Sequence, residues 1–273
     1  MTRIADYWAK NDVFGPILEA LHQAGKSTQQ LTIHDLSPID HYHARGQAAT
    51  VELADLLDIQ AEHLILDIGC GIGGPARYFA QRFGCRVVGI DIAKPFIDAA
   101  ERLTQLVGMS ARVSFTLGDG QRLPQRDSEF DGAISQHVTM NVADRTGFFR
   151  EAFRVLKPGG FFALTEHGLG PTGDPHFPAP WSDDGSFSFL CTPRQTRSFL
   201  EEAGFENIVI EDTGAKYLMA YKSLMAMVAE KGLPPLGVHV LVGPSAGEKT
   251  RNAALNIEEG RTHPVLILCR KPG

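Results

Sequence analysis

Cysteine is scarce: four residues among 273, scattered as Cys70, Cys85, Cys191 and Cys269. No Cys-x-x-Cys pair occurs, which argues against both a disulfide framework and a zinc site. No apolar run approaches the roughly 18 residues of a membrane-spanning helix. No run of Lys or Arg occurs, and the formal net charge is −6. Nucleic-acid binders are more often basic. The opening MTRIADYWAKND carries charge throughout, unlike the apolar core of a secretory signal. These absences lead us to expect a cytoplasmic protein that binds neither nucleic acid nor membrane and carries no metal. What is present is ordinary for a globular chain, with 43% hydrophobic and 21% charged residues. The length suits one large domain, or one domain with a modest cap.

From about residue 64 to 165 short apolar runs alternate with helical patterns. LILDI (64–68), CRVVGIDI (85–92), ARVSFTLGD (111–119), FDGAISQ (130–136) and FFALTEH (161–167) read as strands. ARYFAQRF (76–83), PFIDAAERLTQLVG (95–108) and GFFREAFRVLK (147–157) read as helices, the last stopped by Pro158-Gly159-Gly160. This alternation predicts an α/β protein with a parallel sheet and crossover helices on both faces. Thr192-Pro193-Arg194-Gln195 predicts a capping box opening a helix that ends at Gly204. FENIVIED (205–212) and HPVLILCRK (263–271) read as further strands, around an amphipathic helix over 215–232. Before the first strand, Ile4, Trp8, Val13, Phe14, Ile17, Leu18 and Leu21 predict one helix and VELADLL (51–57) another. Between them lies the His-rich HDLSPIDHYHARG (34–46). The expected organisation is a helical cap over 1–60 and a core over 61–273, with cap or lid insertions at 168–190 and 214–262.

ILDIGCGIGG (65–74) satisfies two glycine fingerprints at once. Gly69, Gly71 and Gly74 spell the Gly-x-Gly-x-x-Gly of a dinucleotide loop. Gly69, Gly71 and Gly73 spell Gly-x-Gly-x-Gly, with Asp67 just before them. Both loops bring backbone close to a ligand, and in both an acidic residue closing the second strand, here Asp91, takes ribose hydroxyls. An NAD-dependent oxidoreductase therefore stays open at this point.

The later segments separate the two. LGDGQRLP (117–124) sets Asp119 at the end of the third strand, followed by FDGAISQH and RVLKPGG. This ordered series resembles the class I S-adenosylmethionine-dependent methyltransferases, from about residue 60 to 215. The resemblance implies a Rossmann-like, doubly wound, mostly parallel seven-stranded sheet whose last strand is antiparallel, with a helical cap. It also implies S-adenosylmethionine as cofactor. Asp67, Gly69, Gly71 and Gly73 would line the methionine moiety. Asp91 would take the ribose diol with Ile92 beside the adenine, and Asp119 the adenine amine, with Gly120 and Gln121 nearby. Gln136 would sit near the transferring methyl. A cationic sulfonium suits such an acidic site.

Methyl transfer asks the protein to align donor and acceptor and to strip water from the nucleophile. A hydroxyl or carbon acid needs a general base, whereas an amine needs only to be unprotonated. His137 and His167, after the fourth and fifth strands, are the candidate bases, with His41 from the cap. Glu166 can bind a cationic acceptor or orient His167. Tyr42 is expected to close over the ligand, and the aromatic loop HFPAPWSDDGSFSFL (176–190) to form a lid through Phe177 and Trp181. The His41-x-His43 spacing alone does not make a metal site. The motifs look most like the small-molecule branch, with sarcosine/dimethylglycine and quinone or tocopherol methyltransferases among its members. Some sugar O-methyltransferases carry a His-His pair after the fourth strand. Here Met140 and Asn141 stand in that place, which favours an amine nitrogen over a hydroxyl or carbon of a quinone, phenol, sugar or natural product. The expected partner is a small-molecule acceptor, and the expected state a monomer or homodimer.

Overall fold

The computed structural model describes residues 3–8, 12–42 and 45–273. Its seven strands are β1 (Leu64–Ile68), β2 (Arg86–Asp91), β3 (Val113–Leu117), β4 (Phe130–Gln136), β5 (Leu156–Leu169), β6 (Glu206–Asp212) and β7 (Thr262–Arg270). They form one sheet in the order β3-β2-β1-β4-β5-β7-β6. Strands β1 to β5 pair in parallel, and β7 runs antiparallel to both β5 and β6. The order reverses between β1 and β4, and ligands of open α/β sheets bind in the crevice at the carboxyl ends there.

Strand pleating sorts the sheet into two faces. Leu66, Ile68, Phe162 and Leu164 pack on one face with α7 (Arg145–Val155) and α8 (Pro193–Ala203), through Phe148, Phe149, Ala152 and Leu200. Ile65, Val87, Ile134 and Ala163 pack on the other with α4 (Gln47–Asp55) and α5 (Gly74–Phe83), through Leu53, Ala76 and Phe79. Helix α8 starts at the expected box. The Gln195 backbone N–H donates to Thr192 Oγ1 at 3.2 Å, and the Thr192 backbone N–H donates to Gln195 Oε1 at 2.9 Å. Replacing such a cap by Ala costs about 1 kcal/mol.

The structure departs from the sequence pattern in three places. The single helix expected over residues 4–21 is two, α1 (Arg3–Trp8) and α2 (Phe14–Gln23). The His-rich segment begins as a helix, α3 (Ile33–Asp40), opened by a Thr32/Asp35 capping box and carrying Pro38 inside it. Helix α7 ends at Val155, and Lys-Pro-Gly-Gly is absorbed into β5 as a register shift between Phe130 and Gly132, with Gly159 at φ +78. Helices α9 (Gly214–Lys231), α10 (His239–Val242) and α11 (Ala246–Glu258) lie between β6 and β7. Among the described residues no helix is long and apolar enough to cross a membrane.

A buried ion pair joins the helices before β1 to those that pack on the sheet. Arg77 on α5 is fully buried. It donates from Nη2 to Asp40 Oδ1 at 2.5 Å and from Nη1 to Thr104 Oγ1 at 2.9 Å. Thr104 lies on α6 (Lys94–Leu106). The pair thus ties α3, α5 and α6 together directly behind the glycine loop.

Candidate functional site

The face that carries Ile65, Val87, Ile134 and Ala163 continues to the carboxyl ends of its strands. There it presents Asp67, Asp91, Gln136 and His167 in turn, because residues two apart share a face and paired residues share it across strands. Glu166 falls on the opposite face. Its Oε2 accepts from Arg145 Nη1 at 2.7 Å and from Thr139 Oγ1 at 2.5 Å, and its Oε1 from Thr196 Oγ1 at 2.8 Å. Glu166 is fully buried. The expectation that it meets an acceptor or orients His167 is therefore corrected: pleating turns it into the ion pair beneath α7 and α8.

The glycines answer the double fingerprint. Gly71 has φ +53 and a Cβ there would meet nothing within 4 Å, so it lines an open cradle. Gly69 and Gly73 also hold positive φ, and a Cβ on them would strike Val138 and Phe115. A Cβ on Gly74 would lie 2.0 Å from the Asp40 carbonyl oxygen. The third glycine of the dinucleotide pattern is thus explained by packing of the cap helix on the loop. Asp91 Oδ2 accepts from Gly71 N at 3.0 Å and its Oδ1 from Ala93 N at 2.9 Å, so it shapes the cradle as well as facing it. Ile92 is half-buried beside it.

Asp67 is buried, and its Oδ2 has no hydrogen-bond partner among the described residues. Burial first, then the Asp91 carboxylate, push its carboxyl up to about 7, against the pull of the Ala76 N–H. Burial also raises Asp91, against hydrogen bonds from Ala93, Gly71 and Ile92. Two buried carboxyls, both pushed up from the usual carboxylate range, form a site that a cation would stabilise. Asp119 is half-buried and accepts from the Gln121 backbone N–H at 2.9 Å and the Gln121 side-chain Nε2 at 3.1 Å. Gly120 lies close to Phe148, where a Cβ would fall at 2.7 Å.

At the ends of β4 and β5 lies an imidazole–phenol cluster. His137 follows β4 in a left-handed conformation, φ 57, which costs a residue with a Cβ about 1 kcal/mol. Its Nε2 shares a 2.6 Å hydrogen bond with the Tyr217 hydroxyl. Its ring lies 5.3 Å from that of His167. His167 Nε2 lies 3.4 Å from the Tyr221 hydroxyl, and Trp181 stacks on its ring at 5.2 Å. Burial pulls His167 down to about 4, so it is neutral near pH 7. Burial raises both phenols. Trp181 is buried under the loop with Met140 and Phe177, its Nε1 donating to Ser188 Oγ at 2.9 Å. Tyr42 donates to the Pro180 carbonyl at 3.4 Å, a contact from the segment after α3 to the aromatic loop over 176–190. His41 Nδ1 is 2.9 Å from Thr50 Oγ1, which donates to Gln136 Oε1 at 3.0 Å. His43, considered with His41, lies outside the described residues.

Tyr217 and Tyr221 were absent from the sequence candidates. They read there as the apolar face of a helix, and only the fold brings α9 over β4 and β5. Thr50 and the Arg77–Asp40 pair likewise carry no motif. The partial signal for Tyr217 is its hydroxyl on a stripe that otherwise needs none.

Such a glycine cradle with paired acids, on a seven-stranded sheet with an antiparallel last strand, defines the S-adenosylmethionine-dependent methyltransferase class. The orphaned Asp67 oxygen and the open cradle at Gly71 fit that cofactor, which would lie from Asp67 to Asp119. Residues 66–164 match the model of the methyltransferase domain family. Methyltransferase GfsG of Streptomyces halstedii is 31% identical over 212 residues, 73% of this chain and 75% of GfsG. Phosphoethanolamine N-methyltransferase 3 of Arabidopsis thaliana is 32% identical over 188 residues, 68% of this chain but 38% of that protein. In structure, Haemonchus contortus phosphoethanolamine N-methyltransferase 2, solved with phosphomonomethylethanolamine and S-adenosylhomocysteine, superposes with a TM-score of 0.79 at 18% identity. That alignment covers 100% of this chain and 61% of the other. The chain belongs to the S-adenosylmethionine-dependent methyltransferases. Membership sets aside the dinucleotide-oxidoreductase reading.

Proposed function

We propose that this methyltransferase acts on a small molecule and methylates an amine nitrogen. The observation that carries this reading is the cluster of His137, His167, Tyr217 and Tyr221 beside the glycine cradle and under Trp181. Bound S-adenosylmethionine supplies a methyl group on a sulfonium, which leaves as a neutral thioether. An ammonium acceptor must first lose a proton to expose its lone pair. His137 is placed to take that proton, with Tyr217 holding the ring through its hydrogen bond. His167, neutral and stacked on Trp181, gives the acceptor a polar contact on an aromatic wall that tolerates positive charge. The lid and Tyr42 exclude water. His137 takes the acceptor's proton before transfer, so that the freed nitrogen lone pair would accept the methyl and the methylated nitrogen would carry the positive charge that the sulfonium gives up. The Arabidopsis relative, named for an amine substrate, supports the same choice.

In this reading Asp67, Gly69, Gly71, Gly73, Asp91, Ile92, Asp119, Gly120, Gln121 and Gln136 hold the cofactor. Residues 1–60 act as a cap, with 168–190 and 214–262 as the insertions that close the acceptor side. The protein works in the cytoplasm as a monomer or homodimer, without nucleic acid. Incubation with methyl-labelled S-adenosylmethionine and fractionated metabolites, followed by mass spectrometry, tests the proposal. Label on nitrogen supports it, and a product labelled only on oxygen or carbon overturns the amine assignment. Tyr217→Phe should then lower kcat at least about tenfold while leaving S-adenosylhomocysteine affinity unchanged.

A further inference from the structure

Among the described residues four buried polar atoms lack partners on this face at the strand ends: Thr165 Oγ1 and His167 Nδ1 on β5, and, on the neighbouring strands β1 and β4, the pair Asp67 Oδ2 and Gln136 Nε2. Of this last pair, one is an acceptor and the other a donor. The methionine end of S-adenosylmethionine carries the complementary pair, an α-ammonium and an α-carboxylate. Buried polar atoms left unpaired are costly, and such atoms mark places that a ligand completes.

The donor is aimed by a chain of hydrogen bonds. Thr50 Oγ1 lies 3.0 Å from Gln136 Oε1 and 2.9 Å from His41 Nδ1. A hydroxyl has one hydrogen, and an amide oxygen can only accept. The Thr50 hydrogen therefore goes to Gln136, and His41 must present Nδ1–H to Thr50. This fixes the imidazole tautomer and turns the Gln136 carbonyl towards α4, which leaves its NH2 directed elsewhere. Thr50 is fully buried, so water does not compete for its hydroxyl.

We propose that Thr50 is a positioning residue of the cofactor site. Held by His41, it turns the Gln136 carboxamide so that its NH2 binds the cofactor's α-carboxylate, while Asp67 binds the α-ammonium. The proposal rests on the cofactor and is independent of which acceptor is methylated. It carries the cap into cofactor recognition, because Thr50 and His41 both precede β1.

Calorimetric titration with S-adenosylhomocysteine and with 5′-methylthioadenosine tests it, since the second probe keeps the adenosine thioether and lacks the amino-acid end. Thr50→Val and Gln136→Leu should each weaken S-adenosylhomocysteine by about tenfold and leave methylthioadenosine within about twofold. Thr50→Ser should bind as the parent does, and the Thr50→Val/Gln136→Leu pair no more weakly than Gln136→Leu alone. A ¹⁵N spectrum of labelled histidine should show His41 as the Nδ1–H tautomer in the parent and in Thr50→Ser, and altered in Thr50→Val. Equal weakening of both ligands, or of neither, overturns the proposal, as does an Nε2–H tautomer in the parent. If Thr50→Val does not fold, Gln136→Leu and the parent's tautomer decide. A parent chain that binds no S-adenosylhomocysteine overturns the cofactor assignment and this proposal with it.

Discussion

Raising the pH from about 6 to about 8 should tighten S-adenosylhomocysteine binding by about tenfold, through Asp67. Its carboxyl titrates at about 7 in the ligand-free protein because it is buried beside Asp91. The carboxyl is then anionic in about one molecule in eleven at pH 6 and about ten in eleven at pH 8. Only the anion gains a charge-assisted pair with the ligand's α-ammonium. Binding at about pH 7 should release about half a proton, because the ligand draws the mixed population to the carboxylate. Titration in two buffers of different ionisation enthalpy measures both the affinity and the proton count. The same group acts in reverse on the ligand-free fold. Its folded pKa lies above the ordinary 3.8, so the unfolded chain gives up the proton first. The group's contribution to stability is therefore greatest below about pH 4 and falls as pH rises towards about 7. Asp67→Asn should abolish the pH dependence of binding and raise the melting temperature of the ligand-free protein at about pH 8. A pH-independent affinity in the parent, or a dependence that survives in Asp67→Asn, would refute the reasoning.

His41 and His167 push stability in the opposite sense. Burial, aided at His41 by Arg77, brings each down to about 4 from 6.5, so stability is lost as pH falls through that window, and thermal melts of His167→Gln should show a weaker acid limb. Arg145→Met leaves Glu166 buried and unpaired and should cost about 3–5 kcal/mol in urea unfolding, with S-adenosylhomocysteine affinity unchanged in the folded protein. Gly74→Ala places a Cβ 2.0 Å from the Asp40 carbonyl oxygen and should push α3 off the loop, lowering both melting temperature and cofactor affinity. A variant as stable as the parent would show that the cap moves aside freely.

The cofactor half of the site was readable in the sequence because it is made of consecutive segments. Asp67 and the glycines stand at the end of one strand, Asp91 and Asp119 at the ends of the next two, and each strand is a continuous apolar run whose period marks its end. The acceptor half was readable only where it too follows a strand, at His137 and His167. Tyr217 comes from a helix far along the chain. Its spacing with Leu218 and Tyr221 is that of any buried helical face, and no local signal tells a phenol that packs from one that also bonds an imidazole. Glu166 misled for a related reason. It adjoins His167 in sequence, but adjacency along a strand means opposite faces. The cap hid its first helices because Pro38 interrupts the pattern of α3, and because α1 and α2 share a hydrophobic period across the break between them.

Strand parity also explains why the site is where it is. The register Asp67–Gly89, Asp67–Ile134 and Gln136–Thr165 places equivalent residues of four strands side by side on one face. On that face α5 begins only after the glycine turn, which leaves the strand ends open above it. Helices α3 and α4 flank the opening on one side, where Thr50 donates to Gln136 and Asp40 packs against Gly74 and pairs with Arg77. Helix α9, between β6 and β7, flanks it on the other, with the Tyr217 and Tyr221 hydroxyls against His137 and His167. Neither of these flanking elements contributes a strand to the sheet. Changes in the β6–β7 insertion can therefore alter the acceptor while leaving the acids and glycines in place, whereas changes at Thr50 or Asp40 reach the cofactor side. Exchanging residues in α9 should accordingly change which acceptor is methylated, while the affinity for S-adenosylhomocysteine stays that of the parent.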